Sequence, residues 1–295
     1  MRALVNQLSE NIHKRMKYVK ILSECVKTVD IQRCIACGHC SAACPVGAVD
    51  HTLFPTEKIH RIDYSNMPSP EQVMDIWREA LKEYETILHM PMSSGLSGSC
   101  NTARMLSQED EFEGKVFVVD NGRISTPMHR SILDAVELIE KGYDAEQIKD
   151  ILETSKNEMS IYIAVETLEH LKNGGRISGA AAAIGTALNI KPILSLNVGL
   201  LESYKKARGM KKAKKEMLEA IKKDMEIKFQ EYYERGEIYL LAATSADEAT
   251  TKEWIEEIQA FFPKMEVLCD NLTLGISCHV GEGGLGIGCS CKPKR

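Results

Sequence analysis

Residues 86–106 read TILHMPMSSGLSGSCNTARML. The apolar run TILHMPM predicts a short strand. A loop of serine and glycine follows, and it passes into a helical pattern. Working outward, SPEQVMDIWREALKEY (69–84) predicts a helix capped by Ser69 with Pro70 at its first position. On the other side KVFVVD (115–120) is a strand, HRSILDAVELIEKG (129–142) a helix closed by Gly142, AEQIKDILETSKN (145–157) a helix and SIYIAVE (160–166) a strand. Strands alternating with helices predict an α/β fold with mainly parallel sheets covered by helices. Further on, KPILSLN and LLESYKKA are two short strands about residues 197–199. Residues 210–234 form a long charged helix whose lysines mark a solvated face. EIYLLAAT, a helix to Phe261, KMEVLCD and a final strand at 274–279 complete a second unit. No internal repeat is evident.

The chain has 295 residues, which suits two domains with a sizeable core. Its apolar fraction of 44% is that of an ordinary globular protein, and a formal charge of −5 gives no general case for nucleic-acid binding. No run of eighteen apolar residues indicates a membrane span. The opening segment lacks the apolar core of a secretory signal and reads as an amphipathic helix, with Leu4, Leu8, Ile12 and Met16 on one face. Ten cysteines without a leader imply reduced thiols or metal ligands, hence a cytoplasmic protein.

Four of those cysteines form a compact run. Cys34, Cys37, Cys40 and Cys44 have the spacing C-x2-C-x2-C-x3-C, and Pro45 follows. Thiolates are soft ligands suited to iron–sulfur clusters, and the two-residue gaps let three of them converge on one cluster. Zinc sites usually pair two separated C-x-x-C units, and only one such run is present. The run resembles the 4Fe-4S motif of bacterial-type ferredoxins, a likeness that ends near Asp63. A second run is missing, so residues 1–62 look like a half-module whose fourth ligand is open between Cys44 and Cys25.

The loop that follows the strand at 86–92 contains Ser93, Ser94, Gly95, Leu96, Ser97, Gly98 and Ser99. Ligands of α/β sheets bind at the carboxyl ends of strands, where backbone N–H groups and hydroxyls favour an anion. The loop lacks the Gly-Lys-Ser/Thr ending of a nucleotide-binding loop, and it could equally serve only to cap the helix. Residues 281–286 spell a literal G-x-G-x-x-G, but no helix and distant acidic residue follow. These glycines are expected to let backbone pass close to another element. His279 stands before them at the end of the expected strand, and Cys289 and Cys291 are expected to be exposed, unligated thiols.

Four stretches, SSGLSGSCNTA, TLEHLKNGGRIS, ALNIKPILSL and CHVGEGGLGIG, occur in that order. Together they resemble the DegV family of fatty-acid-binding proteins over residues 63–295. The resemblance implies two α/β domains, here 63–157 and 158–295, and a carrier without chemistry of its own. It implies a long-chain fatty acid as ligand and a fatty acid kinase as partner. It places carboxylate donors on Ser65, on Ser93 or Ser94 and on His279, and sets Arg176 near the ligand end or the domain interface. The acyl tail would run along apolar residues, among them the small side chains of AAAAIGTALNI. The family's opening strand and Asp-Ser segment have no counterpart, because residues 1–62 hold the ferredoxin-like segment instead. The first domain is therefore expected to be incomplete. The alternative readings are an iron–sulfur electron-transfer protein, or a recombined chain whose lipid site no longer functions.

Overall fold

The computed structural model describes residues 19–22, 69–177, 189–197 and 200–294, with only the backbone at 19–22. The first sheet is built on β2 (Thr86–His89). It lies between β1 (Val19–Leu22) and β3 (Val116–Val118), and both neighbours run parallel to it. Alternation along β2 sends successive side chains to opposite faces. Ile87 packs with Trp77 of α1 (Pro70–Ala80) and with Ala103 and Leu106 of α2 (Ser99–Leu106). Leu88 packs on the other face with α3 (Ser125–Glu140) and α4 (Ala145–Thr154). Helices thus cover both faces, as the alternating pattern predicts. Two of them start at a full capping box: Ser69 with Gln72, and Asp144 with Gln147. No strand was expected ahead of residue 63, yet β1 occupies an edge of this sheet, with Val19 opposite Thr86 and Leu22 opposite His89.

The second sheet has six strands: β4 (Met159–Ala164), β5 (Ile190–Asn197), β6 (Leu200–Arg208), β7 (Ile238–Thr244), β8 (Val267–Asn271) and β9 (Leu285–Cys291). Their order is β6-β5-β4-β9-β7-β8. Here the expectation of mainly parallel strands is corrected. Among the described strands of this sheet only β7 and β8 pair in parallel; β9 enters between β4 and β7 and runs antiparallel to both. Between the strands lie α5 (Glu169–Asn173), α6 (Met210–Lys223), α7 (Gln230–Glu234), α8 (Glu248–Phe261) and α9 (Leu274–Val280). The long charged helix is α6, followed by a π-helical turn at Asp224–Lys228 and then α7. The expected strand at 274–279 is helix α9, and the last strand lies beyond the glycines. Cys289 and Cys291, expected at the surface, are fully buried on that strand.

One face of the second sheet packs on α6 and α8 around Met217, Ile221, Trp254 and Ile258. Across the other face lies α3, which joins the two sheets. Thr126 Oγ1 donates to the Ala242 carbonyl at 2.7 Å, His129 Nδ1 meets Asp270 at 3.0 Å, and the Arg130 guanidinium stacks 4.2 Å from the Tyr239 ring centre. The helix that closes the first core is therefore also the floor of the second.

Candidate functional site

The Ser93 turn is tied to the segment that leaves β3. Ser93 N–H donates to the Arg123 carbonyl at 3.1 Å, and Ser94 N–H to Asp120 Oδ1 at 3.2 Å. Leu96 and Ser97 N–H both donate back to the Ser93 carbonyl, closing a helical turn. Ser93 is buried, and its Oγ accepts the Gly95 N–H at 3.3 Å, which leaves the hydroxyl proton available to donate. The half-buried Ser94 hydroxyl has no partner among the described residues. Two hydroxyl donors and the start of α2 thus gather at the carboxyl end of β2, where an α/β sheet accepts an anion.

Arg176 and His279 form a second group. Arg176 follows α5 and donates from Nη1 to the Gly174 carbonyl at 2.6 Å, which holds the guanidinium beside His279 on α9. The imidazole packs so tightly that a Cβ on Gly174 would lie 2.1 Å from His279 Nδ1. The reverse contact occurs one turn away, where a Cβ on Gly281 would lie 2.5 Å from His170 Cδ2. The two segments interlock through a glycine–histidine pair in each direction, so the glycines do admit close approach. Burial and then the Arg176 charge push the His279 pKa below its ordinary value, so the ring is neutral at pH 7. Its Nδ1 is buried and has no hydrogen-bond partner among the described residues. Arg176 supplies the positive charge.

Ile177 and Val280, the chain neighbours of Arg176 and His279, belong to an apolar cluster or pack against it. Ile163, Val165, Leu168, Leu171, Leu194 and Val280 form it, with Ile276 of α9 packed against it. Polar heads at the rim of an apolar floor suit an amphiphile with an anionic end. No hydrogen bond joins the Ser93–Ser94 pair to the Arg176–His279 pair among the described residues. Ser65, the cysteines Cys25, Cys34, Cys37, Cys40 and Cys44, the amphipathic segment around Leu4–Met16 and the alanine-rich stretch at 180–188 lie outside those residues. A separate cleft of about 1020 Å³ opens between α6 and α8, next to His170. It contains none of the expected site residues. Among the described residues no cluster of His, Cys, Asp or Glu is arranged to hold a metal, and no helix is long and apolar enough to cross a membrane.

Asp120, Arg123 and His170 escaped the reading of the sequence. The first two lie two and five residues past the end of β3, near the usual address of ligand-end residues, and that was the available signal. His170 had none, because its partner Gly281 is over a hundred residues away in sequence.

Comparison with known proteins gives the family and the fold. A family model described as "Uncharacterised protein, DegV family" matches residues 56–292, and one described as "4Fe-4S binding domain" matches residues 27–50. The chain is 30% identical over 238 residues to Protein DegV of Bacillus subtilis, covering 80% of this chain and 81% of that one. It is 29% identical to a DegV domain-containing protein of Clostridium perfringens, covering 81% and 83%. Among solved structures it is similar to the fatty-acid-binding DegV family protein of Thermus thermophilus, with a TM-score of 0.66, 36% identity and coverage of 76% and 78%. It is also similar to DegV of Bacillus subtilis, described as a fatty acid binding protein, with a TM-score of 0.65, 28% identity and coverage of 76% and 77%.

Proposed function

The chain belongs to the DegV family, and from that premise we propose that it binds a long-chain fatty acid as a cytoplasmic carrier, not as an enzyme. In this reading residues 63–157 and 158–295 are its two lipid-binding domains. The hydroxyls of Ser65, Ser93 and Ser94 donate to the carboxylate, His279 offers a further N–H, and Arg176 supplies the counter-charge. The acyl chain follows the apolar floor under His279. The observation that supports the reading is the pairing of Arg176 with the half-buried His279, whose chain neighbours Ile177 and Val280 pack in the cluster with Leu168, Leu171 and Leu194. A carboxylate taken from water needs charge and several donors to offset its desolvation, and this set provides both. A fatty acid kinase is the partner expected to receive the cargo.

The double change Ser93→Ala with Ser94→Ala tests the head-group assignment. Each hydrogen bond to a charged group contributes about 1.5–3 kcal/mol, so fatty-acid affinity should fall by about tenfold or more. A fatty alcohol of equal length keeps the apolar contacts, and its affinity should hardly change. Folded variants that bind fatty acid as wild type does would refute the assignment. Mass spectrometry of the denatured protein should reveal acyl chains carried through purification.

The match at residues 27–50 favours a second element. Cys34, Cys37 and Cys40, with Cys44 or Cys25 as the fourth ligand, bind a 4Fe-4S cluster. An electron-transfer role for that cluster predicts visible absorption near about 400 nm under anaerobic conditions that bleaches on reduction and returns on controlled reoxidation.

A further inference from the structure

Arg123 has no exposed surface, and none of its three guanidinium nitrogens has a hydrogen-bond partner among the described residues. The carboxylates that act on it are Asp134 of α3 and Glu158, just ahead of β4; Arg130 and the Cys291 thiol are also in range. Glu158 belongs to the second sheet, since its carbonyl accepts the Cys291 N–H at 2.9 Å. Asp134 Oδ2 and Glu158 Oε2 are themselves buried without a partner. A guanidinium is tolerated inside a protein only beside counter-charge. The two carboxylates whose charge reaches it come from opposite sides of the domain junction: Asp134 on α3, which also pairs with Arg130 at 3.0 Å, and Glu158 at the second sheet, which also accepts from the Tyr232 hydroxyl.

The main chain of the same residue holds the first-domain donors. Its carbonyl accepts the Ser93 N–H at 3.1 Å. Its own N–H donates to Asn121 Oδ1 at 3.3 Å, and Asn121 Nδ2 donates to Ser131 Oγ of α3 at 2.8 Å. Two residues on, Ser125 has φ +56°, a left-handed conformation that a residue with a Cβ adopts only when its surroundings impose it. The chain bends out of its preferred conformation directly after the residue whose charge it buries.

We infer that Arg123 is a positioning residue: its guanidinium, buried between Asp134 and Glu158, clamps the Ser93–Ser94 turn of the first domain to the second domain, which carries Arg176 and His279. The inference rests on the fatty-acid reading for its consequence in binding. Arg123 touches no ligand. It acts through the Ser93 amide that its carbonyl holds.

The test uses the full chain and the pair Arg123→Met with Asp134→Asn, which removes a cation and an anion together; Arg130, which donates to Asp134 Oδ1 at 3.0 Å, keeps an acceptor in the asparagine and keeps its pair with Glu137. Amide exchange at Ser93 and Ser94 should accelerate by about tenfold or more, while exchange in β7 stays as in wild type. Affinity for a long-chain fatty acid should fall by about tenfold or more, and affinity for the alcohol of equal length should stay within about twofold. Arg123→Lys keeps the charge and should restore part of the preference for the acid. Wild-type exchange at Ser93 in a folded double variant would overturn the clamp, whether or not the protein binds lipid. Equal losses for acid and alcohol would also overturn it, by assigning Arg123 a general structural role. Accelerated exchange in a protein that binds no fatty acid would support the clamp and sink the carrier reading instead.

Discussion

His89 ends β2 four residues before the Ser93 turn, and its titration should be measurable as stability. The ring is buried, and the indole Nε1–H of Trp77 donates to its Nδ1 at 3.1 Å, with the two rings edge to face at 5.5 Å between centres. An imidazole that accepts on Nδ1 cannot be protonated there without losing this bond. Burial pushes its pKa down from 6.5 to about 4. Because the folded value lies below the unfolded one, the unfolded chain binds the extra proton first as pH falls. The contribution is therefore fully present above about pH 6.5 and is lost as pH falls toward 4. A shift of this size at about 1.4 kcal/mol per unit amounts to about 3 kcal/mol.

The perturbation is His89→Gln, which keeps an acceptor for Trp77 and does not titrate. Urea unfolding at pH 4, 5, 6 and 7 would be followed through Trp77 fluorescence in a Trp254→Phe background. The stability advantage of wild type over the variant should shrink by about 3 kcal/mol between pH 7 and pH 4. Asp134 acts in the opposite direction, since burial pushes its carboxyl up to about 6 against the pull of Arg130 and Arg123. It is present in both proteins and cancels in the difference. A difference that stays constant with pH would refute the reasoning, because His89 would then titrate alike in the folded and unfolded chains.

Three further outcomes follow from the site and its surroundings. Gly174 has an ordinary helical φ of −75°, so Gly174→Ala strains no backbone and acts only by driving the new methyl into the His279 ring, whose Nδ1 lies 2.1 Å from the Cβ position; fatty-acid affinity, measured by displacement of a fluorescent acyl probe, should drop by about tenfold. Burial pushes the Cys289 thiol far above its usual range and the Cys291 thiol up to about 12, so neither should react with iodoacetamide at pH 8 until the protein is unfolded, and peptide mapping of labelled native protein checks this. Cys37→Ser should lower iron and sulfide content sharply after anaerobic reconstitution, and content equal to wild type would remove Cys37 from the ligand set.

The first domain was legible because its elements follow local rules. The Ser69 cap, the apolar run at 86–92 and the closing Gly142 each act within a few residues, and parallel pairing of β2 with β3 follows from the helix between them. The second sheet was harder because its pairing is set by residues far apart. EIYLLAAT and KMEVLCD flank a helix and do form a parallel pair, but β9 enters between β4 and β7 from the far end of the sequence. No local period announces that insertion. Helix α9 was mistaken for a strand because seven residues hold too little periodicity to separate the two. Thr273 ahead of it and Gly281 behind it, with φ +81°, were the signals that mark a helix. The alternation of LGIGCSC was equally visible, and it puts Cys289 and Cys291 on the face that packs against α6 and α8. The Ser93 loop was singled out by its place after a strand and His279 through the family resemblance, whereas Arg123 was missed because an arginine after a strand normally reaches solvent.

The position of β1 changes the argument about the opening segment. The first domain was expected to be incomplete for want of the family's opening strand. Instead β2 holds the central place, and β1 pairs along its free edge over the full length of β2, from Thr86 to His89. The pairing satisfies the backbone groups of β2 on that side, which would otherwise need water or another chain. Because the strands are parallel, Leu22 ends beside His89, at the same end of the sheet as the Ser93 turn. The segment ahead of residue 63 therefore contributes a strand to the first sheet of the DegV-family body. Replacing Lys20 by Pro removes a backbone donor from β1 and should loosen that edge. If β1 supports the turn through β2, Ser93 amide exchange should rise along with that of β2. If β1 is only an added edge, exchange at Ser93 should stay at the wild-type rate, and the body of residues 63–295 would hold its donor loop without help.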